Sequence, residues 1–447
     1  MAVATLRFAS AGCKSCISLV VHADTKNRIP AGKKNRKIVF FMNAAFARDA
    51  FEAFVKKEEP DKNIGIFLGV QVIIKDKSIN LYFDARMIGH SGIGTQVSNV
   101  LKLLAGHPKI KLSLLGDAAV IRKHLPVRGL KILPFHAPIY SIQEQLNFPK
   151  IDDPSAILHI PHYNAPVFQL SRSVVVVHDL IHLQSEEFKS PKYRLYTNFL
   201  LSQIARRAKH IVTVSNTTRE EFLKRFPVPG ERISVIHNGL DHDEFYPATK
   251  AQKDAFRKKY RLPEKFLLTV GIGKRHKNID FVISALAPLW KEEKLNIPLV
   301  MAGTGGILPD YVADEIKRHG VERMIHLTPF FDRSDLRLLY ACSDFFVMPS
   351  LLEGFGFPLV EAMACKVPIL SSNASCLPEI GGNAVCYFDP QNQSDFQTKL
   401  MHLMKNRKHA ASLIKKGILQ SNKFKWEENV KKLVILYESL SMRSNHG

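Results

Sequence analysis

Two glutamates eight residues apart frame a glycine-rich turn, Glu353-Gly-Phe-Gly-Phe-Pro-Leu-Val-Glu361. Gly354 and Gly356 carry no Cβ, so backbone amides there can come close to a ligand. Pro358 suits the first position of a helix, so the turn should feed directly into a helix N-terminus. Such an end offers unpaired N–H groups and the positive pole of the helix dipole, which suit anionic or hydroxyl-rich groups. Glu353 and Glu361 add acceptors on either side, a pair fitted to the diols of a sugar or a ribose. One glutamate near a helix start is explained by the dipole alone. Two at this spacing around two glycines indicate a binding turn.

A second segment, Val270-Gly-Ile-Gly-Lys-Arg-His-Lys-Asn278, lies between a strand end and a helix that Asn278 can cap. Lys274, Arg275 and Lys277 crowd cations around that helix start, which suits a diphosphate. A basic loop is usually solvated surface, but this one shares a domain with the two-glutamate turn. In the first half, Ser91-Gly92-Ile93-Gly94 forms a glycine turn without the G-x-G-x-x-G spacing of a dinucleotide site. Val177-His178-Asp179-Leu180-Ile181-His182-Leu183 places a histidine and an aspartate at a strand end, with His182 read as structural. Asp241-His-Asp243 is a DxD, yet its place in a linker argues against a metal. P-loop, HExxH and G-x-S-x-G patterns are missing, so kinase, zincin and esterase readings lack their core residues.

These segments need a scaffold, and from Ile79 short β-rich runs alternate with helical stretches. The first set of strands reads as Ile79–Asp84, Lys111–Leu115, Ala156–Ile160, Ser173–His178, His210–Ser215 and Arg232–His237. Gly94–Leu104, Lys192–Ala208 and Thr217–Arg225 read as helices between them, with Thr217 and Glu220 as a capping box. After a polar, charged stretch ending at Glu264 the pattern restarts with Phe266–Val270, Pro298–Ala302, Met324–Leu327, Asp344–Met348 and Pro368–Ser371. The helices of this half read as Ile279–Leu289, Tyr311–His319, Ser334–Cys342 and Pro358–Cys365. Such alternation implies βαβ units and buried parallel sheets. The expected architecture is α/β, with two doubly wound Rossmann-like domains facing a central cleft at the carboxyl ends of their strands. The boundaries expected are 1–78 for an N-terminal extension of unknown role, 79–245 and 246–425 for the two domains, and 426–447 for an amphipathic helix. That helix presents Val430, Leu433, Val434 and Tyr437 on one face and should pack back across the cleft, with direct lipid contact as the other reading.

The two loops together resemble the family 4 retaining glycosyltransferases of the GT-B fold, over about four-fifths of the chain from Ile79 to Tyr437. The resemblance implies that Glu353, Phe355 and Gly356 meet the donor sugar and that Glu361 meets the nucleotide ribose. Lys277 matches the family's phosphate-binding lysine. The usual arginine near Gly273 is changed, with Lys274 or Arg275 as the substitute. Gly92 falls in the turn that faces the donor phosphate. The His178-Asp179 segment is similar to that of bacterial mannosyltransferase-like members of group 1, which puts His178 beside the transferred sugar. The implied donor is a nucleoside-diphosphate hexose, GDP-mannose before others, with no cofactor and no metal. The implied acceptor is a lipid-linked or lipopolysaccharide-type glycan of cell-surface polysaccharide synthesis. Another GT-B enzyme, an epimerase or a phosphorylase, is the alternative; the last is a basic nucleic-acid binder.

Composition is that of an ordinary globular protein: 447 residues, 46% hydrophobic and 23% charged, with 24 Gly, 24 Pro and 6 Cys. The length suggests about two or three domains. Collagen-like, low-complexity and disulfide-scaffold classes are excluded. The net charge of +22 biases the chain toward polyanions, either nucleotide phosphates or an anionic membrane surface. Residues 1–78 and the last 47 residues carry +7 each, and no dense basic stripe with interleaved aromatics marks a nucleic-acid face. The longest apolar run, Ile64–Ile74, is too short for a membrane span. Cys16–Val21 is likewise too short for a secretory core. Asp24 is the sole acid in residues 1–48, a bias also found in organelle transit peptides. Cys13 and Cys16 form a lone CxxC without a second pair for zinc. Sequons at Asn216, Asn373 and Asn392 include two beside the expected site, where a glycan would be awkward. The expected location is therefore the cytoplasm, with peripheral contact at the inner face of the plasma membrane.

Overall fold

The computed structural model describes residues 78–443, apart from positions 140, 186, 188, 189 and 304, together with two short strands upstream. Those strands, β1 (Ile17–Val20) and β2 (Val39–Met42), pair antiparallel with Ile17 opposite Met42. The remainder of the N-terminal extension lies outside the described residues, including Cys13, Cys16 and the run Ile64–Ile74.

From Ile79 the chain builds two parallel sheets. The first contains β3 (Ile79–Asp84), β4 (Ile110–Gly116), β5 (Lys131–Pro134), β6 (Ile157–Ile160), β7 (Ser173–Val177), β8 (His210–Thr213) and β9 (Ile233–Val235). Their spatial order is β5-β4-β3-β6-β7-β8-β9. The second contains β10 (Leu267–Val270), β11 (Leu299–Ala302), β12 (Ile325–Leu327), β13 (Phe345–Met348), β14 (Ile369–Ser372) and β15 (Cys386–Phe388), in the order β12-β11-β10-β13-β14-β15. Strand order reverses between β3 and β6 and again between β10 and β13, and crevices open at such reversals beyond the carboxyl ends of the strands.

β7 shows why these segments are strands. Its four consecutive valines fit the pleated backbone, and β-branching disfavours a helix there. Val174 and Val176 enter one buried cluster while Val175 and Val177 enter another, so the sheet is covered on both faces. The second sheet repeats this, with Leu268 and Phe346 on one side and Leu267 and Val347 on the other.

Three local expectations change. The helix Asn216–Arg225 is capped by Ser215, whose hydroxyl accepts from the Thr218 N–H at 3.1 Å, so Thr217 and Glu220 form no capping box. The Thr217 N–H is instead taken by a residue of the other domain. Asn278 sits left-handed at φ 58° before the helix Ile279–Lys291 and makes no side-chain cap; its amide donates to the carbonyls of Pro349 and Pro390. The helix of the two-glutamate turn runs Phe357–Ala364, so Pro358 stands second in it rather than first. The charged stretch before Glu264 contains the helix Lys250–Tyr260, opened by a true capping box of Thr249 and Gln252. Edge strands β5 and β15 were not expected. Each is short and only partly buried, which removes the continuous apolar run that marks a central strand.

The last helix, Trp426–Arg443, buries Val430, Leu433, Val434, Tyr437 and Leu440. It docks on the first domain, against the helix Ser91–Leu104 and β3. Tyr437 reaches the buried His159 of β6, with 2.8 Å between its hydroxyl and Nδ1. Burial holds that imidazole down at about 3, so the pair is neutral. The chain thus crosses between domains twice, and the two crossings touch: Leu240 N–H donates to the Phe424 carbonyl at 3.1 Å, and His242 Nε2 lies 3.2 Å from the same oxygen.

Candidate active site

Six strands deliver residues to one cavity of about 630 Å³ between the domains, Asn238 after β9 among them. Gly92 follows β3, His178 and Asp179 follow β7, and Val214 follows β8. From the second domain come Gly271 after β10 and the segment Glu353–Pro358 after β13, with Lys277 and Glu361 behind them. The structure therefore brings Gly92, His178, Lys277, Glu353, Phe355, Gly356 and Glu361 to the lining of one cavity. Lys274 and Arg275 are not among the described residues lining it. The Arg275 guanidinium lies over the Tyr311 ring at 4.7 Å, and Lys274 is exposed on the preceding turn. Of the three cations read from that loop, Lys277 is the one at the cavity.

Lys277 Nζ lies 2.6 Å from Glu353 Oε1, with both side chains largely shielded from water. The short turn Arg275–Lys277 aims the lysine back toward the end of β13. Glu353 is held by Ser375, whose hydroxyl accepts from the Glu353 N–H at 3.1 Å and donates to its carbonyl at 2.8 Å. Glu361 is buried on the following helix, and the Tyr340 hydroxyl donates to its Oε2 at 3.0 Å. Tyr340 comes from the helix Arg333–Cys342, too far along the chain for motif spacing to reveal.

Phe355 contributes backbone alone, because its ring packs edge-on against Phe357 at 5.2 Å and Phe424 at 5.4 Å. Gly356 has φ +81°, a left-handed conformation that starts the helix, and an added Cβ would stand 3.0 Å from Leu377 Cδ2. Gly354 answers a different demand. A Cβ there would fall 2.2 Å from the His178 carbonyl oxygen, so the glycine lets the two domains touch.

His178 Nε2 lies 2.8 Å from the Pro161 carbonyl; since a carbonyl only accepts, Nε2 carries the proton and Nδ1 is left as the acceptor. Burial pushes this imidazole down, and the Pro161 hydrogen bond and the Asp179 charge only partly oppose it, so it is neutral near pH 7. Asp179 Oδ1 accepts from Ile181 N–H at 3.0 Å, which fixes the turn after β7. His182 lies off the cavity, edge-on to the Tyr163 ring at 5.6 Å.

Motif reading also missed the contacts that hold the domains together. Glu379 of the second domain accepts from the backbone N–H groups of Asn216 at 2.8 Å and Thr217 at 3.1 Å, and lies 2.7 Å from His237 Nε2. Burial alone would raise this carboxyl, but His237 and the two N–H groups outweigh it and hold it at about 2. On the opposite side, Glu187 of the first domain accepts from the Arg275 N–H and lies 3.3 Å from His276 Nδ1. Of the sequon asparagines, Asn216 is engaged by Glu379 and Asn392 caps the helix Gln393–Lys405.

The DxD is a turn: Asp241 Oδ1 accepts from the N–H groups of Asp243 and Glu244 at 3.1 and 3.2 Å. Asp84, Glu144 and His162 stand close enough to share a cation, but Arg86 already bridges the two carboxylates at 2.6 and 2.7 Å. The two carboxylates thus share one guanidinium within the fold.

A family model of group 1 glycosyl transferases matches residues 252–420, and one of glycosyltransferase family 4 matches residues 114–244. The chain is 30% identical over 286 residues to O-antigen chain mannosyltransferase B of Escherichia coli, covering 64% of this chain and 74% of that one. It is 30% identical over 275 residues to the serotype-specific mannosyltransferase WbdA of Escherichia coli, covering 57% of this chain and 32% of that protein, about a third of its length. The structure of Anabaena Alr3699/HepE in complex with UDP and glucose shares the fold, with a TM-score of 0.63 at 17% identity, covering 81% of this chain and 100% of that one. With paired glutamates, glycine turn and cavity lysine meeting between two doubly wound domains, the chain belongs to the group 1, family 4 glycosyltransferases of the GT-B fold.

Proposed function

We propose that the chain is a retaining, metal-independent mannosyltransferase. It moves mannose from GDP-mannose to a lipid-linked or lipopolysaccharide-type glycan at the cytoplasmic face of a membrane. The observation that carries this reading is the Lys277–Glu353 ion pair, which lines the same cavity as Gly92 and Glu361. Mannose and a glycan acceptor are supported by the names of the two Escherichia coli relatives; guanine follows from mannose as donor chemistry.

Lys277 and Glu353 satisfy each other at 2.6 Å. An arriving donor separates their tasks, with the lysine turning to the diphosphate and the glutamate to sugar hydroxyls. Glu361, oriented by Tyr340, accepts from the ribose. As the bond between the anomeric carbon and the phosphate oxygen breaks, negative charge grows on the diphosphate. Lys277 and the helix N-termini at Gly92 and Phe357 stabilise that charge where a metal-dependent enzyme would use an ion. The acceptor oxygen bonds to the same face of the anomeric carbon, and its proton passes to the departing phosphate oxygen. His178, neutral and with Nδ1 as acceptor, steadies a sugar hydroxyl. Contact between the domains keeps water from the donor.

Thermal stability of the purified chain against GDP, UDP, ADP and their sugars tests this. Ligand at about 100 times its dissociation constant adds about 2.7 kcal/mol, a readily visible shift. The expected result is a shift with GDP-mannose that disappears in Glu361→Ala, together with transfer abolished in Glu353→Ala. A shift with UDP-sugars alone overturns the mannose assignment, and near-normal transfer by Glu353→Ala overturns the site.

A further inference from the structure

The last helix spends its apolar face on the first domain's core, so it is no lipid anchor along that face. Large apolar side chains are nonetheless gathered elsewhere. Ile142 and Leu146 are 72% and 74% exposed, Phe168 is 79%, and Leu195 and Phe199 are 73% and 51%. They belong to three elements of the first domain: the helix Ile142–Leu146, the turn Val167–Arg172 and the helix Pro191–Arg207. Hydrogen bonds tie these elements into one surface. The Gln145 amide donates to the Ala165 carbonyl at 3.2 Å and accepts from the Val167 N–H at 2.9 Å, and the Tyr196 hydroxyl donates to Asn164 at 3.3 Å. The long helix also packs directly on the Val167–Arg172 turn.

The exposed charged side chains that these three elements themselves carry are all cationic. The helix Pro191–Arg207 carries Lys192, Arg194, Arg206 and Arg207 and no acidic residue. Lys192, Leu195, Phe199 and Arg206 follow one another at helical spacing, all exposed. Glu144, the acid of the neighbouring short helix, is buried and turned inward, paired with Arg86 at 2.7 Å. Outward leucine and aromatic groups rimmed by cations are the chemistry of an interfacial lipid contact rather than of a groove for a peptide.

We propose that this face docks the enzyme on an anionic lipid bilayer, with Leu195, Phe199, Phe168, Ile142 and Leu146 entering the headgroup boundary and Lys192, Arg206 and Arg207 meeting lipid phosphates. The inference deepens the glycosyl-transfer reading, on which it rests for its purpose of meeting a lipid-linked acceptor. The short helix begins four residues after Pro138, which lines a second cavity of about 570 Å³ at the carboxyl ends of β3 and β4. An acceptor anchored in the bilayer would therefore present its head group beside the first domain's own crevice.

The test is flotation of the full chain with phosphatidylcholine vesicles, with and without phosphatidylglycerol, in the absence of donor and acceptor. Binding to the phosphatidylglycerol vesicles is expected. Leu195→Ser/Phe199→Ser should weaken it about tenfold or more, and Lys192→Glu/Arg206→Glu should erase the preference for the anionic lipid. Both variants should melt with the parent chain, since all four side chains are exposed. The proposal is overturned if the parent chain does not float, or if the variants float as well as the parent. It is also overturned if Leu195→Ser/Phe199→Ser instead dissolves a dimer seen by light scattering in a chain that ignores vesicles. Because vesicle binding needs no sugar nucleotide, failure of the donor-shift experiment would leave this result standing, and the converse holds.

Discussion

Gly354→Ala separates donor binding from turnover. The added Cβ would lie 2.2 Å from the His178 carbonyl oxygen, 2.9 Å from its carbon and 3.3 Å from Asp179 Cβ, where ordinary contact begins at 3.4 Å. Neither side yields easily. The two closest atoms are backbone, and the His178 oxygen is held by the Thr218 hydroxyl at 3.1 Å, itself bonded to Ser215 at 2.9 Å. Relief must therefore come from moving the domains apart by about 1.2 Å. A displacement of about 1 Å between reacting groups costs about a hundredfold in rate. Lys277, Glu353 and Glu361 all stand on the second domain and keep their mutual geometry, so the donor-induced thermal shift should persist while kcat falls about a hundredfold. Gly356→Ala provides the contrast: its φ of +81° strains any side chain within the donor half itself, so shift and turnover should fall together. Single-turnover transfer beside thermal shift reads both quantities. If Gly354→Ala turns over within about threefold of the parent, contact at this point does not govern catalysis.

Glu379→Gln should loosen the same contact in a pH-dependent way. The folded carboxyl titrates at about 2 against an ordinary 4.5, so its stabilisation is fully present above about 4.5 and is withdrawn as pH falls through about 2. The gap in melting temperature between parent and variant should be constant from neutral pH to about pH 5, reflecting on the order of 1–2 kcal/mol, and then close with acid. A gap that is unchanged at pH 3 would refute the assignment. Tyr340→Phe removes the donor to Glu361 Oε2 and should raise the donor KM about fivefold, from a hydrogen bond worth about 1 kcal/mol, with kcat little changed. Titration calorimetry with the nucleotide alone checks it, and an unaltered affinity would show that Glu361 needs no orientation from Tyr340.

What the sequence disclosed was whatever is local. Strands of consecutive β-branched residues such as Ser173–Val177 announce themselves, because burial on both faces leaves no polar alternation to blur them. The Glu353–Glu361 turn is equally local, since one loop and one helix start set its spacing. Partners that arrive from distant positions were hidden: Tyr340 behind Glu361, Ser375 behind Glu353, Glu379 on Asn216. The loop Lys274–Lys277 shows the limit within a single motif. Three neighbouring cations looked equivalent, yet a turn sends Lys277 to the cavity and a ring 36 positions away takes the Arg275 guanidinium. Gly354 was read for ligand approach, but its requirement is set by a carbonyl in the other domain, invisible until both are folded. The helix Lys250–Tyr260 was illegible for the opposite reason: with Phe256 its one buried residue, it shows no apolar stripe.

The docking of Trp426–Arg443 on β3 and the helix Ser91–Leu104 sets an order of events at the ribosome. The earlier of the two sheet domains has a core face covered by Trp426–Arg443, which follows the whole second domain in the chain. At about 5–20 residues per second, on the order of ten to thirty seconds pass while the whole second domain emerges. Through that interval β3 and the helix Ser91–Leu104 lack the cover that the helix Trp426–Arg443 later supplies. The first domain's core face is therefore completed only after the second domain has been synthesised.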